Sequence, residues 1–135
     1  MGGIMKLVYI AGPYRAENRL KVRWNIIKAK QRGVQVILQC LNCYPVIPHM
    51  NTAEFDFEPL LEHVAGDRFY LDGTIALMEK CDAVLLTDPD ADKHSSGTAG
   101  EVARAELLGI PVFRTLTDLK RWSNGEQGLA RNAGA

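Results

Sequence analysis

The run Met5-Lys6-Leu7-Val8-Tyr9-Ile10-Ala11 constrains this chain more than any other stretch: it is apolar almost throughout and halts at Gly12-Pro13. A strand with one wet face alternates apolar and polar residues, whereas a strand covered on both faces does not. This run therefore calls for a layer on each side, as in a parallel sheet held between helices. From Glu17 to Arg32, Leu20, Trp24 and Ile27 recur at helical spacing among Lys and Arg, and Gly33 reads as the stop. Val34-Gln35-Val36-Ile37-Leu38-Gln39-Cys40 reads as a second strand. The opening is then β-α-β, for which a parallel pair joined by a helix is the natural solution.

Residues 41–66 are interrupted by Pro45, Pro48 and Pro59, and Tyr44–Met50 reads as extended. An irregular segment of this length in a small domain reads as a binding loop or lid. The spacing of Leu71, Ile75 and Met78 predicts a helix from Asp67 to Lys80, with Arg68, Asp72 and Glu79 off its apolar stripe. Ala83–Thr87 is a strand, Asp88-Pro89-Asp90 a turn, and a small-residue helix follows Ser95 and ends before Gly109-Ile110-Pro111. Val112-Phe113 closes the strand series. Thr117 reads as the cap of a last helix through Trp122, and Ser123–Ala135 as a frayed tail. The expectation is one domain over residues 1–122, a flexible tail over 123–135, and an α/β doubly wound sheet. That sheet is mainly parallel, with about five strands and helices on both faces.

A chain of 135 residues holds one ordinary core and not two. Sixteen Lys and Arg balance sixteen Asp and Glu, so no net field selects nucleic acid or an anionic membrane as the main partner. No apolar run approaches the ~20 residues that span a bilayer, and the N-terminal stretch lacks a signal-peptide layout. A cytoplasmic protein is expected. Cys40, Cys43 and Cys81 are too few for a disulfide framework. Cys40-Leu41-Asn42-Cys43 with His49 and His63 is a weak zinc pattern, and small buried residues at a strand end are the better reading. No spacing demands a metal, and none is expected.

In doubly wound sheets ligands bind beyond the carboxyl ends of the strands. That rule gathers Gly12–Arg15, Pro45–His49 and Ser95–Glu101 around one crevice. Gly12-Pro13-Tyr14-Arg15 is either a turn opening a helix or a loop aiming Tyr14 and the Arg15 fork at an anion. G-x-G-x-x-G and G-x-x-x-x-G-K-[ST] are both missing. Ser95-Ser96-Gly97-Thr98-Ala99-Gly100-Glu101 is either an anion cradle, its glycines turning the backbone tightly, or a well-capped helix. Glu101 alone reads as a partner of the helix dipole, and Asp72 alone as a solvated helix face. Together they make a carboxylate pair of the kind that cleavage at an acetal-like carbon needs. His49 is either a proton carrier or structural.

The ordered set Val8-Tyr9-Ile10-Ala11-Gly12-Pro13-Tyr14, Asp72, Asp82-Ala83-Val84 and Gly97-Thr98-Ala99-Gly100-Glu101-Val102-Ala103-Arg104-Ala105 resembles the nucleoside 2-deoxyribosyltransferase-like superfamily. That superfamily includes the deoxynucleoside 5'-monophosphate N-glycosidases, and Pro48-His49 looks like a bacterial and phage branch of it. The resemblance implies a flavodoxin-like fold, Glu101 as nucleophile and Asp72 acting on the base or on the nucleophile's proton. It also implies Arg15 and Ser95 as holders of a 5'-phosphate, with Gly12, Pro13, Tyr14, His49, Ser96, Gly97 and Thr98 in the binding wall. No dissociable cofactor is implied. The implied partners are a small nucleoside or nucleotide and further copies of the chain, often a dimer.

Three functions follow from this. The first is cleavage or transfer at an N-glycosidic bond. The second rests on Gly97-Thr98-x-x-Glu101, which also resembles the motif of cytokinin-activating phosphoribohydrolases, although Ser95-Ser96 replaces its first glycine pair. The third is a nucleotide-binding module without turnover.

Overall fold

In the computed structural model, which describes residues 4–62 and 65–126, the apolar run becomes β1 (Lys6–Ala11). After it come α1 (Arg19–Gln39), β2 (Cys43–Val46), α2 (Pro48–Thr52) and two single 3-10 turns at Ala53–Phe57 and Pro59–Leu61. The chain continues through α3 (Asp67–Met78), β3 (Ala83–Leu86), a 3-10 turn at Ala91–Lys93 and α4 (Ser96–Leu107). It ends in β4 (Val112–Phe113), α5 (Leu116–Lys120) and a π-helical turn at Arg121–Glu126. The sheet has the order β2-β1-β3-β4 and every pair is parallel. This is the expected α/β doubly wound class, with four strands among the described residues.

Strand alternation divides the core in two. Val8 and Ile10 of β1 and Ala83 and Leu85 of β3 pack with Ala29 and Val36 of α1 and Leu119 of α5. Tyr9, Ala11, Val84 and Leu86 point the other way, onto Met78 of α3 and Val102 and Ala105 of α4. Each strand side chain on these two strands is fully buried from Val8 and Ala83 onward, as continuous apolarity requires. Because β1 is central and its two neighbours leave in opposite directions, the switch point falls between the carboxyl ends of β1 and β3.

Two sequence expectations are corrected. Val34–Cys40 is not a strand; Val34–Gln39 is the end of α1 with Cys40 as its C-cap, and Gly33 is not its stop. Ala29, Gly33 and Val36 are the buried positions of that helix, spaced four and three apart. A Cβ on Gly33 would come within 2.5 Å of Ile47 Cδ1, so the glycine marks a close approach between α1 and the end of β2 rather than a break. The second strand lies instead at Cys43–Val46, where Pro45 is tolerated because β2 is an edge. The last helix is capped by Thr115, whose hydroxyl accepts from the Asp118 N–H at 3.2 Å, and not by Thr117. Ser123 is buried; residues 127–135 of the expected tail, and His63, lie outside the described residues. No helix among the described residues is long and apolar enough to cross a membrane.

Gly12 is the second close approach. A Cβ there would meet Thr87 Oγ1 at 2.2 Å, Cγ2 at 2.6 Å and Cβ at 2.9 Å. Rotating Thr87 leaves its Cβ in place, so that clash has no cheap exit, whereas the Ile47 methyl can swing away from position 33. Gly12→Ala is therefore expected to lose about 1–3 kcal/mol in chemical denaturation. Gly33→Ala, which gains helix propensity of roughly 1 kcal/mol, should stay near neutral. Equal losses at the two positions would contradict this account.

Candidate active site

A cavity of about 490 Å³ opens at the switch point. The loop after β1 contributes Gly12, Tyr14 and Arg15, α2 contributes Pro48, His49 and Thr52, and α4 with its approach contributes His94 to Thr98 and Glu101. Three segments far apart in sequence thus meet as the strand-end rule anticipates.

Glu101 is 6% exposed, within the second turn of α4. The Tyr9 hydroxyl donates to its Oε2 in a hydrogen bond that ties the centre of β1 to α4. Burial lifts the Glu101 carboxyl from 4.5 to about 7, against the pull of hydrogen bonds from Tyr9 and Thr74, which favour the charged form. Burial, followed by the neighbouring Glu101 charge, pushes the Tyr9 phenol far above its ordinary value, so it stays a donor. Tyr9 is a residue that sequence reasoning left out. Period-2 alternation puts it opposite Val8 and Ile10, but nothing local says which helix it meets.

The backbone before α4 is fixed by polar contacts. The Arg114 guanidinium forks onto both Asp92 oxygens at 2.8 Å and donates to the Pro89 carbonyl at 2.8 Å. Ser95 caps α4, its hydroxyl accepting from the Thr98 N–H at 3.2 Å. Gly97 and Gly100 lie inside the helix, and neither a positive φ nor a crowded Cβ demands glycine there. Of the two readings of this stretch, a glycine-turned cradle or a well-capped helix, the backbone takes the serine-capped helix start. The absence of a side chain at Gly97 keeps the wall open in front of Leu71.

α3 shows the cavity Asp67, Tyr70, Leu71 and Thr74, a stripe at i, i+3, i+4 and i+7. Asp72 is off that stripe. Its carboxylate pairs with Arg68 at 3.1 Å, and it does not line the cavity. The fold therefore does not bring about the expected pairing of Asp72 with Glu101. The acidic group α3 does present is Asp67, which pairs with Arg15 Nε at 3.3 Å. Arg15 also lies over the Tyr14 ring, 5.3 Å from its centroid.

His49 is 4% exposed and packs edge-on to Tyr14, with ring centroids 5.8 Å apart. Its Nε2 stands 3.0 Å from the Pro13 carbonyl, so that nitrogen carries the proton and donates. Burial pushes the imidazole pKa down, with the Pro13 and Gly12 backbone bonds opposing. Pro13 does not line the cavity itself; it anchors the loop through this contact. Cys40, Cys43 and Cys81 are buried free thiols raised chiefly by desolvation. No metal-ligand group of His, Cys, Asp or Glu occurs among the described residues.

The chain belongs to the family described as "Domain of unknown function (DUF7768)", which matches residues 6–115. No curated protein matches it. Among solved structures, it is similar to a conserved protein from Enterococcus faecalis V583 at 20% identity and a TM-score of 0.54. That match covers 80% of this chain and 61% of the Enterococcus protein, and at this identity it shows the fold. The chain thus spans about 61% of that protein's length. A 2-deoxyribosyltransferase from Bacillus psychrosaccharolyticus matches at 22% identity and a TM-score of 0.49, covering 78% of this chain and 69% of the enzyme.

A carboxyl raised from 4.5 to about 7 on folding binds its proton more tightly in the native state. Stability from this group is full below pH 4.5 and is lost as pH rises through about 7. Glu101→Gln copies the protonated form, so its melting temperature should exceed wild type at pH 8 and match it near pH 4. The free-energy gap is on the order of 3 kcal/mol, at about 1.4 kcal/mol per pH unit of displacement. A gap that shrinks with rising pH would refute the buried, raised carboxyl.

Proposed function

We propose that the protein cleaves or transfers at the N-glycosidic bond of a nucleoside or nucleoside 5'-monophosphate, with Glu101 as nucleophile. The observation that carries this reading is a buried carboxylate held by the Tyr9 hydroxyl in a cavity of nucleoside size. A carboxylate with low solvation and one oxygen engaged by a donor has its second oxygen oriented for attack. In the step proposed, Glu101 Oε1 bonds to C1' while the C1'–N bond breaks, its electron pair staying on the departing base, which takes a proton from water in the open cavity. Water or an incoming base then takes the glycosyl group and returns the carboxylate. Positive charge growing at C1' in the transition state favours the ionised form that burial disfavours at rest.

The remaining roles follow from position. Arg15, Ser95 and the first N–H groups of α4 suit an anionic 5' end, with Ser96 and Gly97 beside them. Gly12 and Pro13 shape the loop that carries Tyr14. Asp72 has no part in this reading, and Asp67 stands where α3 offers a carboxylate to the cleft. The resemblance in sequence to nucleoside deoxyribosyltransferase-like proteins supports the same chemistry.

Self-association belongs to the reading as well. Leu20, Trp24, Val34 and Leu38 fall on one outward stripe of α1 and are all exposed, and such an apolar surface suits burial against another chain. Sedimentation should give a dimer or larger, and Trp24→Glu with Leu38→Glu a monomer. A monomeric wild type would remove this part.

Free base released from nucleosides and their 5'-monophosphates, followed by chromatography, tests the chemistry. Activity should rise with pH through about 7 as Glu101 ionises, and Glu101→Gln should lower it about a thousandfold or more while retaining binding. Binding with no base release by wild type would leave a binding module, and activity surviving in Glu101→Gln would reject the nucleophile.

A further inference from the structure

Charge limits what the cavity can hold. Among the described residues its charged side chains are Arg15, Asp67 and Glu101, one cation against two carboxylates. His49 and His94 also line it; burial keeps the first neutral, and imidazoles carry little charge at pH 8. The start of α4 adds roughly half a positive charge. At pH 8, above the value of about 7 to which burial lifts Glu101, the sum is slightly negative. A 5'-phosphate would bring about two further negative charges. Arg15 and the start of α4 each suit an anion, and the two carboxylates offset them.

The adjoining surface does not reverse this balance. A second cavity of about 480 Å³ shares Arg15 and Tyr70 with the first and sets Arg19 against Glu58 and Glu62. Lys93, next to His94, is paired with Asp90 at 3.2 Å.

Arg15 is the group that an anionic 5' end would seek, and its Nε already stands 3.3 Å from Asp67 Oδ1. An anion held on the same guanidinium lies within about 8 Å of that carboxylate, the screening length at physiological salt, so the two repel. Asp67 opens α3, and a carboxylate is favoured in the first turn of a helix, which keeps it in this place. The side chains of Arg15 and Asp67 are 53% and 86% exposed, so the repulsion is worth a few-fold in affinity rather than orders of magnitude.

Resting on the nucleoside reading above, we infer that Asp67 is a specificity-determining residue that turns the site away from a 5'-phosphate and toward the uncharged nucleoside. A site rejects a competing ligand by setting a like charge against it. Asp67 does so from the one guanidinium that would otherwise draw the phosphate in.

Base release is followed at pH 8, at low and at high salt, with adenosine, 2'-deoxyadenosine, thymidine and their 5'-monophosphates. Wild type should favour each cleaved nucleoside over its monophosphate about threefold or more in kcat/KM. Asp67→Asn should lower the monophosphate KM about threefold to tenfold with kcat little changed, and the gain should fade at high salt. Asp67→Glu, which keeps the charge, should behave as wild type. A wild type that favours the monophosphates, or an Asp67→Asn that moves nucleosides and monophosphates alike, overturns the role of Asp67 and leaves the glycosidic reading standing. A monophosphate KM that rises in Asp67→Asn also overturns it, since Asp67 would then be orienting Arg15 for the phosphate. No base release from any of these substrates by wild type overturns the glycosidic reading and this inference with it.

Discussion

The hydrogen bond from Tyr9 to Glu101 is the contact on which the site depends. It joins the central strand to the helix that follows the switch point, and it does so in the interior. Burial makes a carboxylate there unfavourable, and a single phenol donor with help from Thr74 only partly offsets it. A protein that keeps such a group carries a local instability at the wall of its cavity. Enzymes commonly hold their reactive groups in this condition, since the same desolvation that raises the resting energy strengthens attraction to a developing positive charge.

Two close approaches draw the walls of the cavity together. At Gly12 the loop after β1 runs against Thr87, just past β3, so the ends of the two strands converge. At Gly33 the long first helix settles onto Ile47, just past β2. Arg32, one residue earlier, donates to the Leu86 carbonyl at 3.0 Å and ties the same helix to the end of β3. Backbone proximity thus brings His49, the β1 loop and the start of α4 around one space. Surface ion pairs such as Arg68–Asp72 contribute little to this, being exposed and screened.

Much of the fold was legible because burial leaves a mark on composition. Leu7–Ala11 and Ala83–Leu86 are continuously apolar, and both are strands covered on two faces. The helices over α3 and α4 follow from their periodic apolar positions, and Ser95 from the preference of hydroxyls for helix caps. Val34–Cys40 misled because β-branched residues after a glycine satisfy the local signature of a strand. Only the neighbouring Ile47 explains why a glycine sits inside that helix. Asp72 is a different case: its place on α3 is legible in the sequence, but one residue along a helix is a turn of about 100°. That rotation takes it from the cleft to solvent.

Short-range pattern is enough to place the class of fold, the crevice at the strand ends, and most of its lining: Gly12, Tyr14, Arg15, His49, Ser95 to Thr98 and Glu101. These follow from short-range rules, namely apolar continuity, helical period, capping, and the binding of ligands past strand termini. The tertiary structure alone decided that Tyr9 is the partner of Glu101, that Asp67 and not Asp72 faces the cavity, and that Nε2 of His49 is committed to the Pro13 carbonyl. Those facts depend on which helix covers which face of the sheet and at what rotation. Such relations are set by packing between residues dozens of positions apart, and no local pattern encodes them.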